Sequence, residues 1–177
     1  MDYISYLGLN ELMIGETLST GVSLGWWILD TAWTTLVVLS SLHNLWPLPI
    51  EKMVAFVCGL ALFLTGVILT LTGIFEFRSL RKVSGMEVSK LITTGIYYWS
   101  RNPQFLGLYF ALLGISLLGR SGFAFLLTVI AIIYCHYYIV IMEEPYLERV
   151  FGEDYIVYKS RTPRYIGMPK SKENTAK

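Results

Sequence analysis

A long apolar block without a single charged residue constrains this chain more than any other feature. The block runs from Met53 to Phe75 and contains no Asp, Glu, Lys or Arg. A helix rises about 1.5 Å per residue, so crossing ~30 Å of hydrocarbon takes about 20 apolar residues. The block therefore predicts a helix that spans a membrane.

Three further apolar stretches extend this prediction to a bundle of four membrane helices. Gly21–Leu42 and Phe123–Met142 are each long enough to cross a bilayer. Phe105–Gly119 is too short to cross alone, and extending it back to Pro103 lengthens it. The short connection Arg120–Gly122 then pairs this stretch with the last span as a tight helical hairpin.

The first 20 residues leave two structures open. Met1–Thr20 is mixed in character, with Glu11 and Glu16, so it is either an interfacial helix or part of a fifth span. The whole chain is 54% hydrophobic and 15% charged, whereas a soluble domain typically carries about 25% charged residues. We therefore expect an all-α, polytopic integral membrane bundle forming one domain over residues 1–177. The net charge of +1 gives no indication of nucleic-acid binding.

Basic residues concentrate in two polar segments. Glu76–Arg101 carries five Lys or Arg, and the tail from Glu143 onward carries seven. Because cytoplasmic loops of membrane proteins are enriched in Lys and Arg, both segments are predicted to be cytoplasmic. The hairpin between them makes this orientation self-consistent.

The start of the third helix has the features of an anion site. Asn102 suits the N-cap and Pro103 the first helical position, and the free N–H groups there attract anions such as carboxylates. Arg101 adds positive charge, and Gly107 permits a close approach by a backbone or ligand. An ordinary capped helix with an interfacial aromatic belt at Tyr97–Trp99 explains the same pattern. The residues alone leave both open.

Two later features carry charge at the membrane boundary. Glu143 and Glu144 are adjacent carboxylates that repel and resist desolvation, so only one of them is expected to face a pocket. Arg161 and Arg164 are able to clamp a carboxylate or contact lipid headgroups. Simple solvation of a helix end and the basic flank of a cytoplasmic tail are the alternatives.

Several common catalytic motifs are absent from the sequence. It contains no HExxH, no CxxC pair and no glycine-rich nucleotide turn, and its Gly-x-Ser-x-Gly pattern at Gly21–Gly25 lies inside the apolar stretch Gly21–Leu42. Metal-dependent hydrolysis and serine acyl transfer are therefore poorly supported, and no metal site is predicted.

Taken together, the polar segments resemble the isoprenylcysteine carboxyl methyltransferase family of integral membrane methyltransferases. That family shows Thr-Ser-Gly-x-Tyr, Arg-His-Pro-x-Tyr-x-Gly, a span, a Glu-Glu pair, Phe-Gly-x-x-Tyr-x-x-Tyr and a Pro-Arg-Phe-Ile ending. The matching stretches here are Thr93–Tyr97, Arg101–Gly107, Glu143-Glu144, Phe151–Tyr158 and Pro163–Ile166. The motif-bearing part covers about 89–166. Each motif is short, and their order and spacing together are more specific than any one of them.

The resemblance implies methyl transfer from S-adenosylmethionine to a lipophilic acceptor at the cytoplasmic membrane face, with S-adenosylhomocysteine as product. A prenylcysteine-type carboxylate is the acceptor it favours. It implies cofactor contacts from Ser89, Lys90, Leu91, Ile92, Tyr97, Arg101, Asn102, Pro103, Gln104, Phe105 and Glu143. Glu143 is expected near the ribose or the amino group of the cofactor, and Glu144 and Arg164 are the catalytic candidates. We expect the two polar segments to enclose the cofactor jointly, with the bilayer supplying the lipophilic or prenylated substrate.

Three other functions remain open at this stage. A phospholipid amine methyltransferase would have the same kind of fold and would use a nitrogen nucleophile. A sterol-reductase-like enzyme has a similar C-terminal pattern and binds NADPH, although such enzymes typically have many more spans. A lipid-binding membrane protein without enzymatic activity would use the polar segments only to cap its helices.

Overall fold

The computed structural model describes residues 13–14, 17–18, 20–77 and 91–169, whose regular elements are helices apart from one short pair of strands. Strands β1 (Met13–Ile14) and β2 (Thr17–Leu18) pair antiparallel. The helical elements are α1 (Thr20–Leu42), α2 (Lys52–Phe77), a 3-10 helix (Gly95–Tyr98), α3 (Pro103–Leu118), α4 (Gly122–Tyr138), a π-helical turn (Ile139–Glu143), α5 (Glu144–Phe151) and α6 (Glu153–Arg161). All four apolar stretches of the sequence therefore form helices.

Two helices are long and apolar enough to cross a bilayer. One is Lys52–Glu76, and the other is Gly122–Phe151, in which α4 continues through the π-helical turn into α5. Trp27–Leu42 and Pro103–Leu118 are shorter apolar helices. Such helices are expected of a helical membrane protein. That all four of them cross the membrane stays a prediction.

The N-terminal prediction is wrong where the structure describes it. Met13–Ile14 and Thr17–Leu18 form the strand pair, so neither an interfacial helix nor a fifth span runs through these residues. The backbone groups of the two strands pair with each other, whereas a helix would satisfy them internally. Residues 1–12 lie outside the described part of the chain.

The chain divides into two compact units. The helical unit comprises Asp30–Gly73 and Asn102–Tyr137, and the polar unit comprises Met1–Leu29, Ile74–Arg101 and Tyr138–Lys177, insofar as these are described. The helical unit holds most of the apolar helices, whereas the polar unit holds most of the motifs that suggested a function.

Glycines bring two helices of the helical unit into backbone contact. A Cβ added to Gly66 of α2 would lie 2.5 Å from the carbonyl oxygen of Gly107 and 2.9 Å from the Cα of Ala111, both on α3. A Cβ on Gly114 would lie 2.7 Å from the carbonyl oxygen of Gly59. The predicted close approach at Gly107 is thus confirmed, and the neighbour is the backbone of α2. Small residues permit such packing where helices share an apolar environment.

Hydroxyl groups supply the polar contacts within this unit. The Ser116 and Thr128 hydroxyls of α3 and α4 are buried and lie 3.2 Å apart. Ser41 of α1 donates to the carbonyl of Ile115 at 2.5 Å. Each hydroxyl finds its acceptor inside the bundle, so burial leaves none of these three without a hydrogen bond. The outer surface of α2 is apolar, with Phe56 and Ile68 55% and 63% exposed, as is typical of a lipid-facing helix.

Candidate active site

The C-terminal segment of the polar unit begins at Tyr138, where the last long helix changes from an α-helix to a π-helical turn. The π-helical turn Ile139–Glu143 ends at the two adjacent carboxylates, and α5 follows without a break. Gly152, with φ +53°, then ends α5 and becomes the N-cap of α6. Asp154 lies in the first turn of α6, after the corner that the positive φ of Gly152 provides. A negative charge in a first turn is favoured by the helix dipole.

Glu144 is a buried carboxylate held by three cations. Its Oε1 lies 2.6 Å from Nε of Arg164 and 3.0 Å from Nη1 of Arg101, and its Oε2 lies 3.1 Å from Nζ of Lys159. The Nη2 of Arg164 adds a second hydrogen bond of 3.1 Å. Only 4% of the Glu144 side chain is exposed. Burial of such a carboxylate is costly unless it is paired and hydrogen-bonded as it is here.

Hydrogen bonds between two segments of the chain bring the cations to Glu144. The N–H of Arg101 donates to the carbonyl of Pro163 at 3.0 Å. The hydroxyl of Ser100 donates to the carbonyl of Arg164, and that of Thr162 to the carbonyl of Tyr98, each at 3.4 Å. The segment before α3 and the segment after α6 therefore run alongside each other, which places two arginines on one carboxylate.

Three tyrosines form the buried core beneath this ion network. Tyr97, Tyr155 and Tyr158 pack together, each less than a tenth exposed. The hydroxyl of Tyr158 donates to the carbonyl of Tyr97 at 2.6 Å, and Nη1 of Arg101 donates to the hydroxyl of Tyr155 at 3.1 Å. Burial raises the pKa of Tyr155 to about 12 and also raises that of Tyr158, because the ionised phenolate is disfavoured away from water.

Glu143 differs sharply from its neighbour. Its Oε2 is buried and has no hydrogen-bond partner among the described residues, and the same is true of Nε of Arg101. The positive charge of Arg101 also acts on Glu143. An unpaired buried acceptor and an unpaired buried donor are thus present in the same unit, and each such group is costly in a protein without a ligand.

The predicted cofactor residues fall into three groups. Ser89 and Lys90 lie outside the described residues, and Leu91 and Ile92 pack against the three tyrosines. Tyr97, Arg101 and Glu143 also belong to the polar unit.

The remaining predicted residues begin α3, in the helical unit. Asn102 is the N-cap and is 6% exposed, and Pro103 is the first residue of the helix, as predicted. None of the N–H groups at the start of α3 donates a hydrogen bond to the Asn102 side chain. Gln104 accepts a hydrogen bond from Thr70 at 3.4 Å through its main-chain oxygen, and the ring of Phe105 packs near that of Tyr109.

Sequence reasoning did not single out Lys159, Tyr155 and Tyr158 as parts of the site. The two tyrosines are three residues apart on α6, a spacing that places side chains on one helix face. That spacing was visible in the sequence. Lys159 gave no such signal, because it joins Glu144 only through the fold, while also contacting Glu148 at 2.7 Å.

Comparison with known proteins assigns a family. The chain is 30% identical over 79 residues to the Protein-S-isoprenylcysteine O-methyltransferase of Saccharomyces cerevisiae, an alignment that covers 45% of this chain and 32% of that relative. The match therefore spans about a third of the relative's length. The family model for phospholipid methyltransferases matches residues 54–154, more than half of the chain. This protein belongs to the phospholipid methyltransferase family of membrane methyltransferases.

Proposed function

We propose that this protein transfers a methyl group from S-adenosylmethionine to a lipophilic acceptor at the membrane face and releases S-adenosylhomocysteine. The observation that carries the proposal is the pair of unsatisfied buried atoms, Oε2 of Glu143 and Nε of Arg101. The amino-acid end of the methyl donor offers an ammonium group and a carboxylate. These are the groups that a buried acceptor and a buried cationic donor require.

The residues present fit this cofactor. Glu143 would accept a hydrogen bond from the ammonium group, and Arg101 would donate one to the carboxylate. Leaving either atom without a partner costs about 1–3 kcal/mol, and a zwitterionic ligand removes both penalties. The predicted contacts at Ser89, Lys90, Leu91, Ile92, Tyr97, Asn102, Pro103, Gln104 and Phe105 remain part of the proposal.

Glu144 and Arg164 remain the catalytic candidates by prediction, and their contacts favour a positioning role. Both oxygens of Glu144 are engaged by cations, among them Arg101. A side chain held in this way has little freedom to take part in a reaction. It does fix the guanidinium of Arg101, whose Nε is then presented in one orientation.

The chemistry asks mainly for alignment. When bound, the cofactor supplies an already activated methyl group on a sulfonium. The protein's part is to bind and orient the two reactants and to exclude water from between them, which is worth several kcal/mol in such reactions. A carboxylate acceptor is ionised at neutral pH and needs no general base.

The favoured acceptor is a prenylcysteine-type carboxylate. The relative from Saccharomyces cerevisiae is named for O-methylation of protein isoprenylcysteine. A phospholipid amine is the second candidate, because the matched family model is described by phospholipid methylation. An amine is protonated at neutral pH and has to lose a proton before it attacks. The two acceptors therefore predict different dependences of rate on pH.

Calorimetry on the detergent-solubilised protein tests cofactor binding. We expect binding of S-adenosylhomocysteine and none of NADPH. Glu143→Gln should weaken S-adenosylhomocysteine binding by about 10–100-fold, because a charge-assisted hydrogen bond contributes about 1.5–3 kcal/mol. Glu153→Gln is the matched control, since Glu153 is exposed on α6. Binding of NADPH alone would indicate a reductase, and binding of neither would indicate a lipid-binding protein.

A transfer assay separates the acceptors. The protein in mixed micelles receives labelled S-adenosylmethionine with either farnesylated cysteine or phosphatidylethanolamine. Label in a base-labile ester supports carboxyl methylation, whereas label in the phospholipid amine supports the second candidate. A rate that rises with pH through the range where the amine deprotonates would accompany the second result only.

A further inference from the structure

The carboxylate of Glu76 occupies a space that exists because residue 95 is a glycine. Glu76 lies one residue before the end of α2, and Gly95 opens the 3-10 helix with φ +59°. A Cβ added to Gly95 would lie 2.6 Å from Cδ of Glu76 and 3.1 Å from its Oε2. The left-handed backbone and the missing side chain together admit the carboxylate against the main chain of this helix.

The same 3-10 helix carries Tyr97, which connects Glu76 to the proposed cofactor site. Tyr97 is 4% exposed. Burial, and then the negative charges of Glu143 and Glu76, raise the pKa of its phenol. Gly95, against which the carboxylate of Glu76 lies, is two residues before Tyr97 in the same 3-10 helix.

The carboxylates of this region are not equally compensated. Glu144 has three cations within 3.1 Å. Glu143 has a buried oxygen with no hydrogen-bond partner among the described residues. Buried carboxylates require both charge compensation and hydrogen-bond donors. Among the described residues Glu76 forms no ion pair, so neither Glu76 nor Oε2 of Glu143 is compensated as Glu144 is.

We propose that Glu76 is a second carboxylate of the cofactor site and that it binds, with Glu143, the ammonium group of the methyl donor. This inference rests on the proposed function. An ammonium group carries three N–H donors and is able to serve two carboxylates. The sulfonium has no N–H or O–H, so it cannot satisfy the unpaired oxygen of Glu143. The ammonium is thus the cationic group that this site recognises.

Calorimetry with two ligands tests the assignment. S-adenosylhomocysteine has the amino-acid end, and 5′-methylthioadenosine has the same nucleoside and sulfur without it. Glu76→Gln should weaken binding of S-adenosylhomocysteine about tenfold and leave binding of 5′-methylthioadenosine unchanged. Glu153→Gln, which removes an exposed carboxylate of α6, should alter neither.

The outcomes separate the inference from the function on which it rests. If the wild-type protein binds S-adenosylhomocysteine and Glu76→Gln binds it equally well, the inference alone fails. Equal weakening of both ligands would also overturn it, because the role would then be structural. If the wild-type protein binds neither ligand, the proposed function fails and the inference fails with it. Glu76→Asp keeps the charge, so it should retain more S-adenosylhomocysteine affinity than Glu76→Gln, and the reverse order contradicts the assignment.

Discussion

Different kinds of contact stabilise the interior of each of the two units of this protein. In the helical unit, Gly66 and Gly107 let two helix backbones touch, and the core around Val37, Leu112 and Ala124 contains no charge. In the polar unit, Glu144 gathers three cations above a core of tyrosines. An unpaired charge is very costly in hydrocarbon, whereas a paired one is tolerated where water and counter-charges are near. A destabilising substitution should therefore act through steric conflict in the helical unit and through loss of charge compensation in the polar unit.

Glu144→Gln should have the largest effect. The substitution keeps the shape of the side chain but leaves two arginines and a lysine without their shared counter-charge. Removing one partner of a buried ion pair costs about 3–5 kcal/mol. We expect that loss in the free energy of unfolding in detergent, with amide hydrogen exchange rising over residues 144–166.

Glu148→Gln is the control for this prediction. Glu148 also pairs with Lys159, but its side chain is 39% exposed, and exposed pairs contribute about 0–1 kcal/mol. An equal loss in both variants would show that the cations around Glu144 do not depend on it.

Gly66→Ala should produce the next largest effect, and by a different mechanism. The new Cβ would lie 2.5 Å from a main-chain oxygen of α3, so the two helices have to separate. Overpacking of this kind costs about 1–3 kcal/mol. A lower midpoint of thermal unfolding, insensitive to salt, is the expected result. Gly25→Ala is the control, because no described residue lies within 4 Å of a Cβ at that position, and its midpoint should not fall.

The helical unit was largely predictable from the sequence, for local reasons. Hydropathy located the apolar helices, and the Asn102-Pro103 pair correctly predicted where α3 begins. Gly107 was correctly predicted to permit a close approach. Each of these features depends on residues near one another in the chain, and the bilayer restricts what an apolar stretch can form.

The polar unit was predictable in its motifs but not in its contacts. Adjacent residues on a helix point about 100° apart, and nothing local indicates whether Glu143 or Glu144 receives the cations. The π-helical turn that ends at Glu143 shifts the directions of the following side chains further. The approach of Glu76 to Gly95 joins residues on two separate segments. Such pairings arise from the tertiary fold, which hydrophobic periodicity does not specify.

Tyr158→Phe should destabilise the protein less than Glu144→Gln and Gly66→Ala do. It removes the O–H that donates to the buried carbonyl of Tyr97 while keeping the aromatic ring. An acceptor left without a partner costs about 1–2 kcal/mol. The free energy of unfolding should fall by that amount. Tyr98→Phe, at an exposed ring, should change it little. If both variants are equally stable, the tyrosine core is held by packing alone.

The ionisation of Tyr155 at alkaline pH should weaken the polar unit by the smallest of these amounts. The pKa of Tyr155 is raised from its usual 10 to about 12, so the folded protein keeps a proton that the unfolded chain has released. The stability linked to this group is therefore complete below pH 10 and is lost as the pH rises toward 12. At pH 11 the loss is about 1 kcal/mol for this group. Tyr155→Phe should lower stability at every pH, because Arg101 loses an acceptor, and should also flatten the decline between pH 10 and 12. Thermal unfolding across that range measures both. An unchanged slope in Tyr155→Phe would mean that Tyr155 ionises no later in the folded protein than in the unfolded chain.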